Sequence, residues 1–210
     1  MFDLLRGANA LIILVTIGVS VLCFRDQRAM VALLFEPFVI KSRGEWYRFI
    51  THAFVHSGWY HLAVNMFVLY MFGSQVENVF GVLTSGRGTL PYVLLYFGGI
   101  IFSSLIGYKR YQRDPGYRAV GASGAVSAVL FSYILMFPMH SIYLMFIPIP
   151  IPAVLFGAVY LFYEWYMDKR GGDNVAHDAH FFGAVFGVLF TAFLDPDLLL
   201  HIGYLESAMP

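Results

Sequence analysis

The hydrophobic and polar positions of this chain fall into long blocks, without the short alternation of a half-buried strand or the regular polar faces of a soluble helix. Gly7 to Phe24 contains no Asp, Glu, Lys or Arg and approaches the roughly 20 residues that span a bilayer, which predicts a first membrane helix over about 7–24. No small-x-small site follows this run, and Ser20, Val21 and Leu22 before Cys23 make a poor lipoprotein cleavage site, so it reads as a retained helix and not a leader. Phe49 to Val76 is again free of formal charge and predicts a second helix over about 57–80; Gly88 to Tyr108 predicts a third, over 88–108. The uncharged run from Ala119 to Tyr163 is too long for one span, and Pro138, Pro148, Pro150 and Pro152 break it. It divides into a fourth helix over 122–138, an extended interfacial segment IPIPIP, and a fifth helix over 153–168. Ala179 to Leu194 predicts the sixth, over 179–194.

The polar stretches lie between these blocks. Arg25 to Arg48 mixes Arg25, Arg28, Lys41, Arg43 and Arg48 with Phe35, Phe38, Trp46 and Tyr47, a combination suited to the membrane interface. Lys109 to Arg118 is basic, and Lys169 to Asp178 is a polar loop with two glycines. No fixed-period repeat or low-complexity tract interrupts the pattern. The expected fold is an all-α membrane protein, a six-transmembrane-helix bundle forming one integral membrane domain over residues 1–210.

Composition agrees with the blocks: 59% of residues are hydrophobic and 12% charged, with mean hydropathy +0.69, against about 25% charged in soluble domains. Formal charge is balanced, with 13 Lys and Arg against 13 Asp and Glu, so no nucleic-acid partner is expected. The single cysteine, Cys23, excludes an internal disulfide.

Candidate chemistry starts at AVGASGAVSAVL, Ala119 to Leu130. Ser123 sits between Gly121 and Gly124 at the start of the fourth helix, where backbone N–H groups lack intrahelical partners and can hold a developing oxyanion. Small residues at such spacing also serve helix packing alone. In the sixth helix, His180 is followed by Gly183 and Gly187, all on one face, which allows nearly backbone-to-backbone packing against a helix with a small face of its own. The fourth helix offers Gly124, Ser127 and Ala128. If these faces meet, His180 comes beside Ser123 as its general base. The fourth helix, from Ser123 to Pro138, is about 22 Å long against a hydrocarbon core of about 30 Å, so Ser123 would lie below the membrane surface and need a water-filled cavity.

Other polar groups sit at membrane depth. His61 and Asn65 share a helical face and serve either an oxyanion or interhelical hydrogen bonding. His52 and His56 are expected as hydrogen-bonded packing residues near the second helix. His177 is a rival base, but it falls in the polar loop and off the glycine face. Asp178, two residues from His180, points elsewhere on the helix, so a Ser–His dyad is expected and not a triad.

GASG at 121–124, the AH-x-x-G-x-x-x-G pattern from Ala179 to Gly187, and the His-x-x-x-Asn of His61 and Asn65 together resemble the rhomboid intramembrane serine proteases. Tyr47-Arg48 before THAFVH is similar to that family's first-loop motif, and Glu77 falls where the family has an acid after the second helix. The resemblance implies Ser123 as nucleophile, His180 as general base, and His61, Asn65 and the backbone N–H of Ser123 as oxyanion stabilisers, with Gly121, Gly124, Gly183 and Gly187 as structural glycines. It also implies a first loop partly in the membrane, a fifth helix acting as substrate gate, and substrates that are transmembrane segments of other proteins within the lipid bilayer, with no cofactor and no metal.

Two features depart from the family. Ser127 stands where some members carry an aromatic residue that stacks on the base, which leaves His180 to be held by hydrogen bonding. Eleven Lys and Arg fall on the active-site side, with Arg6 and Arg87 opposite, which by the positive-inside tendency turns that side to the cytoplasm, whereas bacterial relatives usually face it outward. The expected location is a bacterial inner membrane. Two other function classes stay open: a metal-dependent membrane enzyme using His52, His56, His61, His177 and His180, and a non-catalytic relative that binds membrane proteins through the same groove.

Overall fold

The structure is a computed structural model that describes residues 7–144, 147–200, 203 and 205; Arg6 lies outside the described residues. The chain is mostly helical, and among the described residues four helices are long and apolar enough to cross a membrane: Ala8–Arg25, Trp59–Leu83, Thr89–Tyr111 and His177–Leu194.

Helix α1 (Ala8–Arg25) begins after Gly7, which offers no side chain to cap it. The cap comes from Glu77. Its carboxylate accepts the N–H groups of Ala8 at 2.9 Å and Asn9 at 3.0 Å, and the hydroxyl of Thr89 at 2.9 Å. A carboxylate at a helix N-terminus satisfies orphan donors and suits the positive end of the helix dipole. One acid thus ties the starts of two helices to the segment that carries it.

The connection after α1 is folded. Asp26 caps α2 (Gln27–Leu33) by accepting the N–H groups of Arg28 and Ala29. Helix α3 (Pro37–Arg43) starts at a proline and stops at Gly44, whose φ of +71° favours glycine. Helix α4 (Arg48–Thr51) runs into a 3₁₀ turn, His52–Phe54. The buried Arg48 organises this layer: Nη1 donates to the carbonyls of Val31 and Leu34, both at 2.8 Å, and Nε pairs with Glu45 at 2.7 Å. Arg118 pairs with Glu36 at 3.2 Å. Phe35 and Ala119 exchange backbone hydrogen bonds, pinning the layer to the segment before Ser123.

The second span consists of α5 (Trp59–Val68), a π turn (Leu69–Gly73) and α6 (Ser74–Leu83). Where the π turn begins, Asn9 donates to the Leu69 carbonyl at 3.0 Å, and Tyr92 donates to Asn9 at 2.6 Å. Gly73 is required there, because a Cβ would overlap the Asn9 amide and the Tyr92 hydroxyl. Helix α7 (Thr89–Tyr111) follows, then α8 (Ser123–Met136). Every residue of α8 from Gly124 to Ile134 is buried, as expected of a helix that is apolar all round and surrounded by others.

The all-α expectation needs one correction. β1 (Ser141–Leu144) and β2 (Ile147–Pro152) form an antiparallel hairpin, with Ser141 opposite Pro152 and Ile142 opposite Ile151. Proline at every second position places the missing N–H donors along one edge of β2, so a two-stranded ribbon can still form. Helix α9 (Ala153–Arg170) lies outermost, burying only Ala153, Gly157 and Glu164. Helix α10 (His177–Leu194) packs against α7 and α8, and a short α11 (Asp197–Leu200) follows.

Candidate active site

The loop before α8 is built by two buried histidines. Gly121 has φ +115° and donates its N–H to the His52 carbonyl at 3.0 Å; an added Cβ would overlap the His61 imidazole. The next N–H, of Ala122, donates to Nε2 of His56 at 3.4 Å. Ser20 spends its hydroxyl proton on the Phe54 carbonyl and lies 2.9 Å from His56 Nδ1, so Nδ1 is the donor there and Nε2 the acceptor. Nδ1 of His52 likewise donates to the Arg48 carbonyl at 2.9 Å. Burial pushes the pKa of His52 down to about 4 and that of His56 to about 3, so both are neutral struts. This is the packing role expected of them. The N–H groups of Gly121 and Ala122 are thus engaged, and the next donor along the α8 N-terminus is that of Ser123.

Ser123 itself is half-buried at the mouth of α8. Across from it, α8 and α10 meet through their small residues. A Cβ on Gly183 would run into the backbone of Gly124, and one on Gly187 into the backbone of Ala128. Ser132 and Thr191 share a hydrogen bond of 2.6 Å one further turn down. Rungs four residues apart on both helices mean that the two run parallel and in register. His180, half-buried, stands one turn above the Gly183–Gly124 rung, at the Ser123 end.

His61 packs on Gly121 and edge-on against His56, with ring centroids 4.9 Å apart. Its Nδ1 is 3.1 Å from the Ser57 hydroxyl. Asn65 is buried and donates to the His61 carbonyl at 2.8 Å, a bond within its own helix and not between helices. His61 therefore faces the glycine loop beside Ser123, and Asn65 lies one turn deeper.

Sequence reasoning did not single out Glu164, a buried carboxylate on α9 that bridges two histidines. Oε1 lies 3.1 Å from Nδ1 of His180, and Oε2 2.5 Å from Nδ1 of His177. Nε2 of His177 meets the Asp173 carboxylate at 3.1 Å. The one available signal was that Glu164 is the first carboxylate after the long uncharged run. Asp178 points away, as expected: it accepts the Ala179 N–H at 2.8 Å and lies 3.8 Å from Arg110. Ser127 bonds the Tyr160 hydroxyl at 2.9 Å, so α9 contributes the aromatic residue at that level.

The five histidines considered as a metal cluster do not converge, because His52 and His56 are committed to the loop. Among the described residues, the only group with ligand atoms close enough for one ion is Glu164, His177 and His180, all within 4.8 Å of one another.

Residues 43–196 match the Rhomboid domain family model. The chain is 32% identical to RHOMBOID-like protein 12, mitochondrial, of Arabidopsis thaliana over 67% of its length and 44% of that protein's. It is 30% identical to Rhomboid-related protein 1 of Caenorhabditis elegans over 80% of its length and 45% of the relative's. It is 25% identical to Rhomboid protease GlpG of Haemophilus influenzae, over 79% and 78% respectively. The chain thus spans less than half the length of the first two relatives and most of the third. With this match and these apolar helices, the chain is an integral membrane protein and belongs to the rhomboid family.

Proposed function

We propose that this chain is an intramembrane serine protease that cuts transmembrane segments of other membrane proteins, with Ser123 as nucleophile and His180 as its general base. The observation that carries the reading is the register of α8 against α10, in which Gly183 lies on Gly124 and sets His180 at the Ser123 end. Relatives named as rhomboid proteases support the reaction class. In this reading His180 takes the Ser123 proton as Oγ attacks the scissile carbonyl. The oxyanion is held by the Ser123 N–H, His61 and Asn65, and His180 returns the proton to the leaving amine. Water then hydrolyses the acyl-enzyme by the same route.

All six long helices cross the membrane in this reading, and one domain occupies residues 1–210. Helix α8 has 14 residues, about 21 Å of rise against about 30 Å of hydrocarbon, which sets Ser123 below the surface. The outermost helix, α9, is the side from which a substrate helix enters. That helix must unwind locally, because its peptide bonds are otherwise closed in intrahelical hydrogen bonds. The relatives come from plant mitochondria, a nematode and bacteria, so the bacterial inner membrane expected from sequence draws no particular support from them.

A second reading, a metal-dependent hydrolase, rests on the Glu164, His177 and His180 group. One experiment separates the two: cleavage of a single-span substrate in proteoliposomes by wild type, Ser123→Ala and His180→Ala, each with and without chelator. The serine reading expects activity lost in both variants and indifferent to chelator. Activity that survives Ser123→Ala and dies with chelator would replace it with the metal reading.

A further inference from the structure

Resting on the serine-protease reading above, we propose that Glu164 is a positioning residue for His180, fixing the tautomer and orientation in which Nε2 of the imidazole is offered to Ser123. An ionised carboxylate only accepts, so a Glu164 oxygen 3.1 Å from His180 Nδ1 places the ring proton on Nδ1. The lone pair then belongs to Nε2, the nitrogen free to take a proton from a serine hydroxyl.

The carboxylate is itself held. Its second oxygen meets His177 at 2.5 Å, and the far nitrogen of that ring faces the Asp173 carboxylate at 3.1 Å. Two acceptor-only partners on one imidazole are satisfied when both ring nitrogens carry protons. The side chains thus form a continuous line from the loop at Asp173 through His177 and Glu164 to His180. A buried acid on a membrane helix is costly unless paired, and Glu164 is paired with the imidazoles of His177 and His180. Where the sequence lacks an aromatic residue to stack on His180, a carboxylate from another helix supplies the orientation. Because Glu164 belongs to α9 and His180 to α10, displacing α9 removes the acceptor from the base. Besides Glu164, α9 is tied to its neighbours by Tyr160 to Ser127, by Asp168 to Arg110, by the N–H groups of Ala153 and Val154 on the carbonyls of His140 and Pro138, and by the packing of Phe156, Tyr160 and Leu161.

The test compares wild type, Glu164→Ala, Glu164→Asp, His177→Ala, Ser123→Ala and His180→Ala, all as full chains in proteoliposomes. It measures kcat and KM for a single-span substrate, the rate at which a small fluorophosphonate labels Ser123, and the thermal midpoint. In labelling, the serine Oγ–P bond forms, fluoride leaves and the base takes the proton, so the readout depends on His180 and not on substrate entry. The expected result is a fall of about 100-fold or more in both kcat and labelling rate for Glu164→Ala, with KM changed less than about threefold. Glu164→Asp should recover part of the loss, and His177→Ala should lose less than about tenfold.

Wild-type labelling and kcat in Glu164→Ala, with Ser123→Ala and His180→Ala both inactive, would overturn this proposal and leave the protease reading standing. Equal losses in Glu164→Ala and His177→Ala with equally lowered thermal midpoints would also overturn it, by assigning Glu164 to helix docking. Activity unaffected by Ser123→Ala would remove the protease reading and this proposal with it.

Discussion

Gly183 lies against Gly124 so closely that a single methyl group on Gly183 would overlap the Gly124 carbonyl. The contact couples two helices whose ends carry Ser123 and His180, so the spacing between those side chains is set by backbone and not by flexible packing. Gly183→Ala should therefore force α10 away from α8. Overpacking of this kind costs about 1–3 kcal/mol, and the expected outcome is a thermal midpoint lowered by several degrees with proteolysis reduced at least about tenfold. Unchanged values in detergent-solubilised protein would contradict the backbone-to-backbone contact.

Gly121 tests the loop in a different way. Its φ of +115° is strained for any other residue, and a Cβ there meets the His61 ring. In the protease proposed above, Gly121→Ala should reduce kcat at least about tenfold by displacing His61 and the Ser123 N–H, its proposed oxyanion donors, together, since losing one such donor typically costs about 10²–10³ or about 2.7–4 kcal/mol. Cleavage kinetics at saturating substrate provide the check.

His52 and His56 give stability a defined pH dependence. The folded protein keeps both neutral, with pKa values of about 4 and about 3, whereas the unfolded chain protonates near about 6.5. As pH falls below that value the unfolded state binds protons that the folded state refuses. Stability present at neutral pH is then lost, by up to about 1.4 kcal/mol per pH unit for each histidine, until the folded pKa is reached. Thermal midpoints should drop between pH 7 and pH 5, and drop less in His56→Gln. A midpoint independent of pH over this range would contradict the buried neutral assignment.

Asp178 is the acid nearest His180 in sequence and is not its partner. Its carboxylate is engaged by the Ala179 N–H and faces Arg110. Asp178→Asn should keep kcat within about threefold of wild type, because its carboxylate touches none of the proposed reacting groups. Near-total loss of cleavage would show that the base depends on Asp178 instead.

In the proposed protease, substrate choice would follow from the need to unwind a helix. Segments with Gly, Pro or other weak helix formers near the cut, and a small residue just before it, should be cleaved faster than uniformly Leu-rich ones. A scan of otherwise matched substrates that found equal rates would contradict entry by local unwinding.

The chain's own letters determined which stretches are apolar enough for membrane helices, that IPIPIP is extended, and that Ser123 and His180 each sit beside a small-residue face. These are local properties. Charge-free length, proline geometry and helical spacing act within a few residues and need no partner to be read. The rhomboid motifs carried further, because Gly183 and Gly187 present a flat surface that only another flat surface can fill, and α8 carries one. What the IPIPIP strand pairs with, where the second span slips into a π turn over Asn9, and which groups take the N–H donors of Gly121 and Ala122 were decided by the tertiary structure. So was the partner of His180. Glu164 lies sixteen residues before His180 on a different helix, and no periodicity says which way a lone carboxylate on an apolar helix will face. Only the packing of α9 against α10 decides that, because a buried charge takes whichever partner the assembled helices bring within hydrogen-bond distance.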